Sequence, residues 1–167
     1  DMFNSAPSFN QDLNAWDVSG ITSFSKMFWR ASAFDGDITS WDVSKATNMY
    51  QMFHEAAVFN QDIGSWDVSN VTNMVGMFGS ALYGRQIFNQ DISGWNVGNV
   101  EDMKAMFHGA SSFNQNLSTW NVSKVTDMSN MFTSAESFNQ ALNDWDVSSV
   151  TNMSSMFYDA QKFNQNL

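Results

Sequence analysis

Two histidines and a surplus of carboxylates are the residues in this chain that could support chemistry. His54 and His108 each follow a Met-Phe pair and occupy equivalent places in a repeated unit, two units apart. At about 4.8 Å per stacked unit they stand roughly 10 Å from each other. A single metal with ligands at about 2 Å would not take both, so they are expected as separate, exposed histidines on a helix surface. The carboxylates recur in two columns, Asp12, Asp37, Asp62 and Asp91, then Asp17, Asp42 and Asp67. Like charges at strand spacing repel, so each column must be solvated, cap backbone amides, or bind cations. Calcium needs several oxygens from one loop. The glycine-rich nonapeptide of calcium-binding β-rolls is missing, which favours turn capping and leaves calcium a minor option. A Thr column (Thr22, Thr47, Thr72, Thr126, Thr151, interrupted by Glu101) is expected to cap helix starts, with ice binding a minor alternative. N-x-S/T sequons stand at Asn70, Asn116, Asn121 and Asn152, as the repeat composition alone would produce. Lacking Cys, a Gly-rich phosphate loop or a nucleophile elbow, the chain offers no catalytic, cofactor-binding or metal-binding set. A non-enzyme is expected.

The composition narrows the classes further. Of 167 residues, 43% are hydrophobic and 15% aromatic but only 14% charged, with 12 Met, 15 Phe, 7 Trp and no Cys. Such a chain can build a core and has no disulfide scaffold. Its net charge of -10 repels a phosphate backbone, which argues against nucleic acid as partner. No apolar run approaches the length of a membrane span, and the N-terminus DMFNSAPSFN does not read as a signal peptide.

The elements that must position these residues come from a tandem repeat. Phe9, Phe34, Phe59, Phe88, Phe113, Phe138 and Phe163 are spaced by 25, 25, 29, 25, 25 and 25 residues. Trp16, Trp41, Trp66, Trp95, Trp120 and Trp145 keep the same intervals. The unit reads FNQDIxxWDVSxVTNMxxMFxxAxx, and the extra residues fall within 82–87. Residues 1–167 are therefore read as a single array with coils starting near 9, 34, 59, 88, 113, 138 and 163. Val71, Met74, Met77, Phe78 and Ala81 have helical spacing and predict a helix of about two turns. Around FNQDI a short strand is predicted, followed by a turn at SWDVS. The expected fold is an α/β, leucine-rich-repeat-like solenoid with one short parallel strand and one short helix per coil. Stacking would place Asn10, Asn60, Asn89, Asn114 and Asn139 in one ladder, Asp35 replacing Asn in the second coil, and Gln11, Gln61, Gln90, Gln115, Gln140 and Gln165 in another. Side-chain amides could then bond coil to coil, while the Trp column enters the core.

This unit, best at residues 59–78 and 138–157, resembles the short repeats of the BspA-like leucine-rich-repeat surface proteins. Those repeats are also described as a mycoplasma-type domain of unknown function and a bacterial surface-protein lipoprotein repeat. The resemblance implies a leucine-rich-repeat-like solenoid on a secreted or surface protein, with adhesion or recognition as its role, and carries no catalytic residues. Phe24, Glu101 and Ala141 depart from the consensus.

The expected function is a non-catalytic, extracellular or cell-surface module for adhesion and for recognition of a protein or glycan. Bulky residues outside the repeat pattern are the candidate contacts: Trp29, Tyr50, Lys104 and Tyr158, with Tyr83 and Arg85 in the insertion. The alternative is a structural block of a larger extracellular, filamentous or viral assembly. Residues 1–8 match the tail of a unit, and no polar capping repeat is evident at either end. A section of a longer array, with end-to-end association as an option, is the expectation.

Overall fold

The computed structural model describes residues 1–80 and 86–167. Among these the chain winds in stacked coils made almost wholly of turns, with no helix and one isolated parallel bridge position per coil. The expected α/β leucine-rich-repeat-like solenoid is thereby overturned. Among the described residues neither the helix expected from Val71 onward, of which Ala81 lies outside them, nor the FNQDI strand forms. The bridges instead join Ser23, Asn48, Asn73, Asp102, Asp127 and Asn152, at the VTN segment.

Backbone hydrogen bonding explains the missing helix. An α-helix bonds each amide to the carbonyl four residues earlier. Here the amides of Met74, Gly76 and Phe78 donate to the carbonyls of Asp102, Lys104 and Met106 in the next coil, at 2.8 to 3.1 Å. Between them, Met77 and Gly79 donate to Met74 and Gly76, closing tight turns. Alternate amides therefore run along the stack while the others bend the chain. This geometry needs left-handed backbone at Lys26, Gln51, Gly76, Ala105, Asn130 and Ser155, and again four residues later at Arg30, Glu55, Gly109, Ser134 and Asp159. A non-glycine residue loses about 1 kcal/mol or more in that region, which the bonds to the neighbouring coil offset. A two-turn helix is marginal in water, so the alternative wins. The apolar spacing misleads because successive turns bury Met74, Met77 and Phe78 just as one helix face would.

The core is a stack of rings. Phe34, Phe59, Phe88, Phe113 and Phe138 follow one another at 5.9 to 6.2 Å between centroids. A second column, Phe28, Phe53, Phe78, Phe107 and Phe132, repeats at 5.6 to 5.8 Å. The two columns meet at about 4 Å where one 25-residue unit passes into the next, as in Phe53–Phe59 at 3.9 Å and Phe107–Phe113 at 4.0 Å. The planes are nearly parallel and the stacking offset, the arrangement that ring quadrupoles favour. Trp41, Trp66, Trp95, Trp120 and Trp145 line the same core, but Trp16 is 40% exposed. The indole N–H of Trp41, Trp95, Trp120 and Trp145 donates to a carbonyl of the preceding coil, at Leu13, Ile63, Ile92 and Leu117. That of Trp66 is buried without a partner.

The Asn ladder forms chiefly through caps on backbone amides, with the expected amide-to-amide bond added where Gln115, Gln140 and Gln165 donate to Asn89, Asn114 and Asn139 at 3.0 Å. Each side-chain oxygen accepts the backbone N–H of its counterpart in the next coil: Asn10 from Asp35, Asp35 from Asn60, Asn60 from Asn89, Asn89 from Asn114 and Asn114 from Asn139, at 2.8 to 2.9 Å. Only an acceptor is required, which is why Asp35 serves. Gln61, Gln90, Gln115 and Gln140 donate back to the carbonyls of Asp35, Asn60, Asn89 and Asn114.

Two outcomes follow for chemical denaturation. Asn89→Asp should leave stability within about 0.5 kcal/mol of the parent, whereas Asn89→Leu, which strands the Asn114 amide, should lower it by about 1–3 kcal/mol. Equal effects would show that the donor side of the amide matters. Phe107→Ala should cost about 3–5 kcal/mol, because its own ring column loses a member and Phe113 of the other column loses its partner at 4.0 Å.

Candidate recognition face

The coil-to-coil register brings the non-repeating residues to one face. In the segment MxxMFxxA the Met, Phe and Ala positions point into the core, leaving four variable positions per coil. Ser25, Tyr50, Val75, Lys104, Ser129 and Ser154 form one column; Trp29, His54, Gly79, His108, Thr133 and Tyr158 form another. The four candidate contacts within the described residues thus fall into two columns of a single face. Tyr158 is 67% exposed at one end of it, and Lys104 stands two coils beyond Tyr50. Tyr83 and Arg85 lie outside the described residues.

Trp29 and Tyr50 come together through residues that sequence reasoning did not single out. The Lys26 ammonium lies 5.7 Å from the Trp29 ring and 5.5 Å from the Tyr50 ring. The Arg30 guanidinium stacks at 4.0 Å over Trp29. Its Nε donates to Glu55 at 2.8 Å, and the Glu55 carboxylate lies 3.8 Å from His54 Nε2. Six side chains from two coils make one connected cluster. The signal for Lys26, Arg30 and Glu55 lies in their non-repeating columns, at the two positions after each Met-x and Met-Phe-x step of the turn segment.

His54 departs from expectation. It is buried, not exposed, and its Nδ1 lies 3.3 Å from the Gly76 carbonyl. The ring rests across the next coil, where Gly79 leaves it space; a Cβ there would approach Nδ1 to 2.8 Å. Burial holds the His54 imidazole below its ordinary value against the opposing pull of Glu55. His108 is half-buried and its imidazole is lowered by burial too.

The carboxylate columns cap turns. Asp17, Asp42, Asp67 and Asp146 each accept the backbone N–H two residues on, at Ser19, Ser44, Ser69 and Ser148, at 3.0 Å. Asn96 and Asn121 do the same for Gly98 and Ser123. Asp37, Asp62 and Asp91 cap Thr39, Gly64 and Ser93, while Asp12 instead accepts the amide of Asp37. A third such column, Asn48, Asn73, Asp102, Asp127 and Asn152, caps Tyr50, Val75, Lys104, Ser129 and Ser154. Among the described residues no group of three or more His, Asp or Glu is placed to hold a metal. The Thr column has no helix to cap. Thr47, Thr72, Thr126 and Thr151 donate Oγ1 to the carbonyl one coil back, reinforcing the bridge. Of the sequon residues, Asn116 and Asn121 cap turns on the exposed surface, and exposed Asn70 donates to the Ser44 carbonyl.

Two hollows lie away from the cluster. One is apolar, about 170 Å³, between Leu142, Trp145, Met153, Met156 and Leu167. The other is a polar trough over Thr39, Ser40, Asp62, Gly64, Asp91 and Gly94. No helix of the described residues is long and apolar enough to cross a membrane.

The pattern of the family described as Mycoplasma protein of unknown function, DUF285, matches residues 1–86 and again residues 80–167. The chain belongs to that family. It is the mycoplasma-type repeat that the 25-residue unit resembles. No curated protein and no solved structure matches the chain.

For this DUF285 array the caps set an acid limit. Side-chain and backbone bonds from Ser19, Ser44, Ser69 and Ser148 hold Asp17, Asp42, Asp67 and Asp146 below the ordinary value of 3.8. Their contribution is complete above that value and is lost as pH falls through the lower folded values. His54, lowered from 6.5, begins to cost stability as soon as the unfolded imidazole protonates, below about that pH. Thermal melts should fall in two windows. Asp42→Asn with Asp67→Asn and Asp146→Asn, which keep the caps as Asn96 does, should flatten the lower window, and His54→Gln the upper. An acid limb unchanged in both variants would assign it elsewhere.

Proposed function

We propose that the array is a non-catalytic recognition module, displayed outside the cell, whose variable face makes the contacts. One observation carries this reading: Trp29, Tyr50 and Arg30, members of the three residue types that dominate interface hot spots, are gathered by Lys26 and Glu55 on a face whose other positions, Val75 and Tyr158 apart, are small or polar. A rigid stack holding such anchors loses little conformational freedom on binding. The resemblance of the 25-residue unit to the repeats of BspA-like surface proteins supports placement at the cell surface. The partner is a protein or glycan, and the acidic chain disfavours nucleic acid.

The test is binding of the purified array, coupled to beads, to intact cells. Trp29→Ala and Tyr50→Ala should each reduce adhesion by about tenfold or more, in line with hot-spot losses of 1–2 kcal/mol or above. The melts of both variants should stay close to that of the parent. Undiminished adhesion by folded variants would mean that this face is structural only.

A further inference from the structure

Resting on that recognition reading, we infer that the Lys26–Trp29–Arg30–Tyr50 cluster binds a glycan that ends in a single carboxylated sugar. The donors point to the anion. Arg30 spends only Nε on Glu55, and the side chain is 53% exposed. Lys26 and the Tyr50 hydroxyl form no hydrogen bond with the described residues. The Lys26 ammonium lies over the Trp29 and Tyr50 rings, so its charge is offered beside both. A carboxylate at Lys26 with sugar hydroxyls at Arg30 and Tyr50 would satisfy all three.

Charge arithmetic selects a single acid over a polyanion. Lys26 and Arg30 bring two positive charges and Glu55 removes one, while the chain as a whole carries -10. One carboxylate gains from the local field. A polysulfated chain would extend into the surrounding negative field and be repelled. A peptide is disfavoured for a separate reason: backbone amides of this face, such as those of Phe24, Lys26 and Phe28, already donate to the next coil, so strand addition finds no free donors there. Neither hollow supplies an apolar side-chain pocket at the cluster.

The experiment is an NMR titration of the whole array with sialyllactose, lactose, heparin and a Glu-rich peptide. Lys26→Asn is the informative variant, because Asn130 occupies the same column with the same left-handed backbone, φ 58° against 53° at Lys26. Sialyllactose should bind about tenfold or more tightly than lactose. Lys26→Asn should lose that difference by a similar factor, and Lys162→Ala, on an exposed residue at the far end, should retain it. Equal binding of lactose, tighter binding of heparin or the peptide, or an unchanged Lys26→Asn titration overturns the inference. If sialyllactose does not bind but Trp29→Ala and Tyr50→Ala still abolish adhesion to cells, the ligand class falls and the recognition reading stands. If adhesion too is unchanged, both fall.

Discussion

The hydrogen bond from one coil to the next is the interaction on which everything else here depends. A 25-residue coil is too short to bury its own rings, and its turns leave alternate amides without a local carbonyl. Those amides find partners only in an equivalent coil, in register. Once the register is set, identical residues are superimposed and every side-chain column follows. Phe stacks on Phe, Asn oxygens meet the next Asn amide, and indole N–H groups reach carbonyls one coil back. Each column then penalises a shift in register, so backbone and side chains enforce the same pairing.

This construction divides the unit into two kinds of position. Positions that point inward or cap turns are nearly invariant across the coils, because each serves its neighbours on both sides. The remaining positions of the turn segment vary more from coil to coil, although His54 and Gly79 among them are buried: Ser25, Tyr50, Val75 and Lys104 share one column, and Trp29, His54, Gly79 and His108 another. A surface for recognition is therefore available without disturbing the stack. Left-handed backbone recurs beneath it, and the Arg30–Glu55 pair ties adjacent coils across it. The carboxylate columns belong to the other kind. Asp17, Asp42 and Asp67 look like a ligand set in one dimension, but each is occupied with the amide two residues on. Asn96 and Asn121 do the same work without charge, which accounts for the fading of the column toward Asn.

Much was legible in the residues themselves: the repeat, its register across the four-residue insertion, the membership of Phe and Trp in the core, the turn-capping role of Asp and the family resemblance. These depend on spacing, and spacing is a property of one dimension. What could not be read was the backbone between the spaced residues. Met74, Met77 and Phe78 fit a helix and a run of tight turns equally well, since both return a side chain to the same side after three or four residues. The choice rests on whether amides bond within the segment or along the stack, and that depends on a neighbouring coil being there to accept them. The same decision brought half-buried Trp29 beside Tyr50, buried His54 over Gly79, and added side-chain caps on backbone N–H groups to the amide pairs of the Asn ladder. Sequence alone thus determined which residues stack, because periodicity dictates it; only the tertiary structure decided how the chain runs between them, because non-local hydrogen bonds outweigh the local preference for a helix.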